Sequence, residues 1–265
     1  MRRWLDPLRS GIVLALVLAA GLAAAHPEDE FCVPGEDGLD PALCAALSEL
    51  DSAESVASGE LLDSAGDPRG PWSTFALYVS IGVGHILPAG LDHILFVLAL
   101  FLSSTRPRDL VIQISTFTVA HTVTLGLAAA GYISPSPALV EPIIAASIAF
   151  VAIENLFLDG MPRWRPAVVF AFGLVHGMGF AGFFGELGLP KDQFLAGLLG
   201  FNVGVEIGQL GVVALAFVMS WSIRRAMQRA GHVDGYRHYV AIPVSLGIAL
   251  TGAWWAVQRS LAALG

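Results

Sequence analysis

Residues 193–223 read QFLAGLLGFNVGVEIGQLGVVALAFVMSWSI, and Glu206 is the only ionisable side chain in the run. About 20 apolar residues carry an α-helix across a bilayer core about 30 Å thick, so this run spans it with residues to spare. Asn202, Glu206 and Gln209 fall at i, i+4 and i+7 and share one stripe. Gly200, Gly204 and Gly208 form a second stripe roughly opposite. Small residues at four-residue spacing let helix backbones approach closely. The stretch therefore predicts a membrane helix packed tightly on its glycine face and polar on the other.

The rest of the chain has the same character. Of its 265 residues 55% are hydrophobic and 14% charged, with mean hydropathy +0.69. A soluble domain is about 45–50% apolar and about 25% charged, which excludes an ordinary soluble enzyme. The net charge of −8 leaves no basic footprint for a phosphate backbone, so no nucleic acid is expected as a partner. Alternating strands of a membrane barrel are absent. The fold expected is all-α, a polytopic transmembrane helix bundle. Six helices are read at about 72–103, 109–131, 138–158, 166–184, 193–223 and 237–261. Turn-like breaks separate most of them: Arg106-Pro107-Arg108, Ser134-Pro135-Ser136-Pro137, Gly160-Met161-Pro162 and Gly188-Leu189-Pro190. The basic stretch Arg224–Arg237 precedes the last helix. Within the first segment Pro88 removes a backbone donor and Gly90 loosens the chain, so a kink or break is expected near Pro88.

The N-terminus carries an address. Arg2, Arg3 and Arg9 precede the apolar run Gly11–Ala25, which ends in Ala23-Ala24-Ala25. This is the pattern of a secretory signal peptide (1–25), cleaved after Ala25. Cleavage makes His26 the mature N-terminus, where α-amine and imidazole can chelate a divalent metal; the plainer alternative is a histidine that merely follows the cleavage site. Residues 26–71 hold twelve acids against Arg69 and form an acidic extracytoplasmic segment. Both cysteines, Cys32 and Cys44, lie in it, and in an oxidising compartment such a pair is most simply a disulfide. The membrane domain occupies 72–265.

Lysine and arginine counts set the orientation. Eight (Arg106, Arg108, Arg163, Arg165, Arg224, Arg225, Arg229 and Arg237) fall on one side, and three (Arg69, Lys191 and Arg259) on the other. The positive-inside rule places the eight in the cytoplasm. The mature N-terminus and the C-terminus then face out, as the signal peptide independently requires.

The apolar body carries an unusual set of polar groups: His85, Asp92 and His93 in segment one, His121 in segment two, Glu154 and Asn155 in segment three, His176 in segment four, and Asn202, Glu206 and Gln209 in segment five. A charge at the bilayer centre costs about 2.5–3.5 kcal/mol on insertion scales, so these groups must meet each other, water or a cation. Thr118 and Thr124 lie three residues either side of His121 and line its face. Gly173 and Gly177 bracket His176, which puts it beside a close helix contact. Imidazole with carboxylate suits Ni²⁺, Co²⁺, Zn²⁺ or Fe²⁺, and the lack of thiolate or methionine clusters in the membrane disfavours Cu(I). The expected ion ligands are His85, Asp92, His93, His121, His176, Glu154 and Glu206. Asn155, Asn202, Gln209, Thr118 and Thr124 are the supporting polar residues. For His121 and His176 the structural alternative is a hydrogen bond to threonine or a carbonyl.

In these stretches the chain resembles the HupE/UreJ family of hydrogenase and urease accessory membrane proteins. The resemblance rests on His85-Ile86-Leu87-Pro88-Ala89-Gly90-Leu91-Asp92-His93-Ile94-Leu95-Phe96, Phe117-Thr118-Val119-Ala120-His121, Val140-Glu141-Pro142, Glu154-Asn155, Phe172-Gly173-Leu174-Val175-His176-Gly177 and Phe201-Asn202-Val203-Gly204-Val205-Glu206. It covers roughly 72–260. It implies a nickel or cobalt permease-like protein of the bacterial inner membrane, with the histidine and Asp-His segment at the ion site. Six residues intervene between His85 and Asp92, a longer spacing than in better-studied nickel members, which marks a divergent branch.

The function expected is therefore a divalent-metal permease or metal-handling protein and not an enzyme. It would have no permanent cofactor, with Ni²⁺ or Co²⁺ as the bound or transported ion and Zn²⁺ the alternative. Its partners would be the bilayer, the ion and, in an assembly, further copies of the chain. One competing reading is an intramembrane zinc-dependent hydrolase, although no G-x-S-x-G nucleophile motif occurs. Another is a non-transporting membrane scaffold for metalloenzyme maturation. N-terminal sequencing of protein recovered from membranes should begin at His26; a start at Met1 would show an uncleaved anchor instead.

Overall fold

The computed structural model describes residues 70–88, 90–104, 106–158, 161–179, 193–231 and 235–264. The signal peptide, His26, the Cys32–Cys44 pair and nearly all of the acidic segment lie outside them. The described residues contain helices and connecting turns and no strand. We number the helices α1 (Pro71–Ile86), α2 (Leu91–Ser103), α3 (Pro107–Ala129), α4 (Pro137–Phe157), α5 (Arg165–Gly179), α6 (Phe194–Arg229) and α7 (Ile242–Ala262). A single π-helical turn, Arg237–Ala241, leads into α7.

Local sequence sets most helix ends. Prolines open α1, α3, α4 and α7 within the first two positions, where the missing N–H has no intrahelical partner to lose. Gly131 (φ 77°) and Gly231 (φ 81°) terminate α3 and α6 in the left-handed region, which costs glycine nothing. Tyr132 N–H reaches back to the Leu127 carbonyl at 2.9 Å to close the end of α3.

Among the described residues four helices are long and apolar enough to span a bilayer by themselves: α3, α4, α6, and α7 with its leading turn. The bent pair α1 and α2 makes up to five. The described part of the expected fourth span, α5, has 15 residues. Segment five runs further than expected, to Arg229, and the last helix begins as a π turn. Large apolar side chains cover the outside, including Leu195, Val119, Leu215 and Val218 at 58–68% exposure, as a protein facing lipid rather than water requires.

The break expected near Pro88 is present. α1 ends at Ile86, α2 starts at Leu91, and the two axes meet at 73°. Hydrogen bonds bind the break: Leu87 N–H to the Val83 carbonyl at 2.8 Å and Gly90 N–H to the Ile86 carbonyl at 3.2 Å. Gly90 sits so close to the His85 carbonyl that a Cβ would collide with it. Glycine is thus required at the bend.

The bend lays α2 into the middle of the molecule. His93, Leu95, Phe96, Val97, Ala99, Leu100 and Phe101 of α2 are all buried. Val97 and Phe101 join a cluster with Tyr78, Leu125, Phe201 and Val205. Leu95, Phe96, Ala99 and Leu100 join a second cluster with Phe117, Ile148, Val151 and Trp255. A helix apolar all round is a buried one, and α2 is the post around which the others stand.

Those others pair tightly: α1 with α6, α3 with α5, and α4 with α7. Glycine makes each contact. Gly200, Gly204 and Gly208 of α6 lie against Phe75, Val79 and Ile86 of α1, as the sequence stripe predicts. Gly173 and Gly177 of α5 lie on the α3 backbone at Phe117 and His121; a Cβ on Gly173 would come within 2.6 Å of the Phe117 carbonyl oxygen. Gly252 of α7 faces Ala145 and Ala149 of α4, where a Cβ would come within 2.8 Å of the Ala149 nitrogen. Gly204→Leu should force α1 and α6 apart and lower thermal unfolding in detergent, by roughly 1–3 kcal/mol or more. Gly84→Ala, where a Cβ meets nothing within 4 Å, should leave it unchanged.

Candidate metal centre

The bend decides the position of the first two histidines. In a continuous helix, residues eight apart lie about 12 Å apart along the axis. Here the His85 and His93 rings meet edge to face, with centroids 4.9 Å apart. His93, in the first turn of the central helix, is a hub. His176 of α5 lies 5.2 Å from it and His121 of α3 lies 5.9 Å from it, both also edge to face. Four imidazoles from four helices thus gather around one of their number. Phenylalanines pack around them: Phe117 beside His93, His121 and His176, Phe96 beside His176, and Phe201 beside His85 and His121.

The cluster lies well inside the helices, away from most of their outer ends. His93 is ten residues from the Ser103 end of α2, His176 eleven from the Arg165 end of α5, and His85 and His121 fourteen from Pro71 and Pro107. At 1.5 Å per residue these are path lengths of about 15–21 Å along the helices.

Neighbours orient the rings. His121 Nδ1 meets Asn202 Oδ1 at 3.0 Å, so Nδ1 carries the proton in that contact. The Asn202 amide in turn donates to the Leu198 carbonyl at 2.8 Å. His176 Nε2 meets Ser147 Oγ at 2.9 Å. The opposite nitrogens, His121 Nε2 and His176 Nδ1, are buried and have no hydrogen-bond partner, and neither has His93 Nε2. A buried polar atom without a partner costs about 1–3 kcal/mol, so three in one cluster mark an unmet demand. Among the described residues no three His, Cys, Asp or Glu side chains already stand in a metal-holding arrangement. The rings pack on one another instead.

The carboxylates do not join the histidines; each has another partner. Asp92 receives both guanidinium nitrogens of Arg259, at 2.8 and 3.3 Å, and Arg259 also donates to the Glu141 carbonyl at 3.4 Å. Glu154 pairs with Arg165 at 2.9 Å, with Arg165 only 1% exposed. Glu206 accepts from Ser115 Oγ at 2.7 Å in the half-buried seam between α3 and α6. Three of the supporting residues make contacts between helices: Asn202 on His121, Gln209 with Thr118 at 3.3 Å, and Asn155 donating to the Ala99 carbonyl at 2.7 Å. The Thr118 hydroxyl also donates to the Ile114 carbonyl, and the Thr124 hydroxyl turns back to the Ala120 carbonyl of its own helix.

Helix α4 orders these contacts by depth. Glu141, near its start, marks the Asp92–Arg259 pair. Ser147 marks the histidine cluster. Glu154, near its end, marks the Arg165 pair. Glu141 and Glu154 are 13 positions apart, about 20 Å of helix. An ion pair therefore flanks the imidazoles on each side. The charge count had treated Arg165 and Arg259 as loop residues, and no helical periodicity ties either to its acid. Ser147, too, gave no signal, because a serine amid alanines reads as a small packing residue. Taking both arginines out of the loops leaves seven against two, with the asymmetry intact.

Removing one member of a buried pair strands the other charge. Glu154→Gln should cost about 3–5 kcal/mol of stability, and Glu154→Gln with Arg165→Met should recover most of it. Unfolding in detergent compares the two; equal losses would show that the pair itself is not what matters.

A family model described as HupE / UreJ protein matches residues 63–259, from before α1 to Arg259. No curated protein and no solved structure matches the chain. The match covers most of the chain and every helix of the histidine cluster, and the chain belongs to the HupE/UreJ family.

Proposed function

We propose that this membrane protein is a divalent transition-metal permease or metal-handling protein of the bacterial inner membrane, with nickel or cobalt as its cargo. The observation that carries the reading is the hub of imidazoles at mid-depth with three buried ring nitrogens unsatisfied. Imidazole suits these ions. Two imidazoles on one tetrahedral ion, with metal–nitrogen bonds of 2.0–2.1 Å, place their ring centres about 5 Å apart. The hub separations of 4.9, 5.2 and 5.9 Å already approach that spacing. Loading then calls for rotation of the rings that now pack on one another.

Neutral imidazoles do not offset a double positive charge. Asp92, adjacent to His93 in the chain, is the nearest carboxylate by sequence, and Arg259 pairs with it. We place cargo entry at this pair: an arriving cation competes with the guanidinium for the carboxylate, and the histidines then replace its water. The arginine and lysine asymmetry supports an extracytoplasmic face for the Asp92 end and a cytoplasmic face for the Glu154 end. The proposal includes no enzymatic step.

Elemental analysis of purified protein, paired with cellular nickel and cobalt accumulation, tests the reading. His93→Ala should abolish bound metal and accumulation. His93→Gln, which keeps bulk and a hydrogen-bonding end, controls for folding and should fail in the same way. Asn202→Ala, which releases His121, should weaken binding roughly 10–100-fold. Wild-type levels of metal in correctly inserted His93 variants would refute the site. Intact metalloenzyme maturation in those variants would favour a scaffold.

A further inference from the structure

Helix α6 is longer than a bilayer needs. Phe194 to Trp221 covers about 40 Å at 1.5 Å per residue, more than the hydrocarbon core of about 30 Å needs, and the apolar run ends just past Trp221, before Arg224 and Arg225. Trp221 therefore stands at the interface, where tryptophan is enriched. The helix continues for two further turns, to Arg229. Along those turns Trp221, Arg225 and Arg229 repeat at four-residue spacing and share a face. The Arg225 guanidinium lies 5.1 Å from the centre of the Trp221 ring. Trp221, Ser222, Arg225, Ala226 and Arg229 line an open depression of about 280 Å³.

The charge in this depression is unbalanced. No acid occurs on α6 after Glu206. Among the described residues no carboxylate pairs with Arg225 or Arg229. Arg224, on the neighbouring face, is already engaged, 3.7 Å above the ring of Tyr236, and the Tyr236 hydroxyl meets Ser220. The Ser222 hydroxyl is spent on the Val218 carbonyl at 2.8 Å. The two arginines and the indole are what the depression offers a ligand: two charged forks that fit phosphate oxygens, beside an apolar plate at the end of the apolar run.

We infer that this face of α6 is a binding site for the headgroup of an anionic phospholipid, its phosphate held by Arg225 and Arg229 and its glycerol region resting on Trp221. Charge complementarity and the depth of the site select a lipid over a soluble anion. The inference depends on the bilayer placement of α6 and not on metal binding.

The test uses the full-length protein in nanodiscs of phosphatidylcholine, with or without phosphatidylglycerol. Native mass spectrometry counts retained lipid, and thermal unfolding reads its effect. Wild type should retain phosphatidylglycerol and unfold at a higher temperature in its presence. R225Q/R229Q should weaken that retention on the order of thirtyfold, from about a fivefold contribution per arginine near an anionic surface. R106Q/R108Q, an exposed basic pair at another loop, should behave as wild type. Equal losses in the two double variants would reduce the effect to general surface charge and overturn the site. So would wild-type retention by R225Q/R229Q, or equal stabilisation by inorganic phosphate in pure phosphatidylcholine.

Discussion

The close approach of Gly90 to the backbone at His85 is the contact on which the polar architecture depends. A side chain there would straighten or spread the bend between α1 and α2. Without that bend α2 would not lie among the other helices, and His93 would not reach His121 and His176. The same contact turns eight residues of separation into a 4.9 Å ring contact. It is a steric constraint, set by the absence of one carbon atom, and it determines where four ionisable groups sit in a medium that tolerates few of them.

Glycine-mediated pairing then makes the surrounding helices rigid enough to hold those groups. In lipid, apolar burial does not drive helices together, and close backbone packing must do so. Three pairs are assembled in this way around α2. The pairing has a second consequence, because Gly177 rests on the carbonyl of His121 itself. The segment that presents His176 is locked against the segment that presents His121, so the spacing of the two backbones that carry these rings is fixed.

The electrostatics follow a simple division by depth. Full charges are paired toward the two ends of the bundle, Asp92 with Arg259 and Glu154 with Arg165, and the middle holds imidazoles that can remain neutral. Desolvating a lone charge at the centre would be costly; a neutral ring with an unused nitrogen costs less and is free to accept a cation. Glu206 is the exception, half-buried and satisfied by Ser115.

The helices, the glycine faces and the break near Pro88 were legible in the sequence because each is a local matter: apolar length, four-residue spacing, a missing donor. The need for the histidines to meet was also legible, since lipid offers imidazole no partner. Their actual neighbours were not. Asp92 and Arg259 are 167 positions apart, and periodicity says which residues share a face of one helix, never which helix that face meets. Composition by itself determined that this chain lives in a bilayer and must hide its polar groups. Only the packing of the helices decided that arginines would claim Asp92 and Glu154 while the imidazoles kept the centre, because partners across a bundle are chosen by which backbones can approach, and that is settled when all of them assemble.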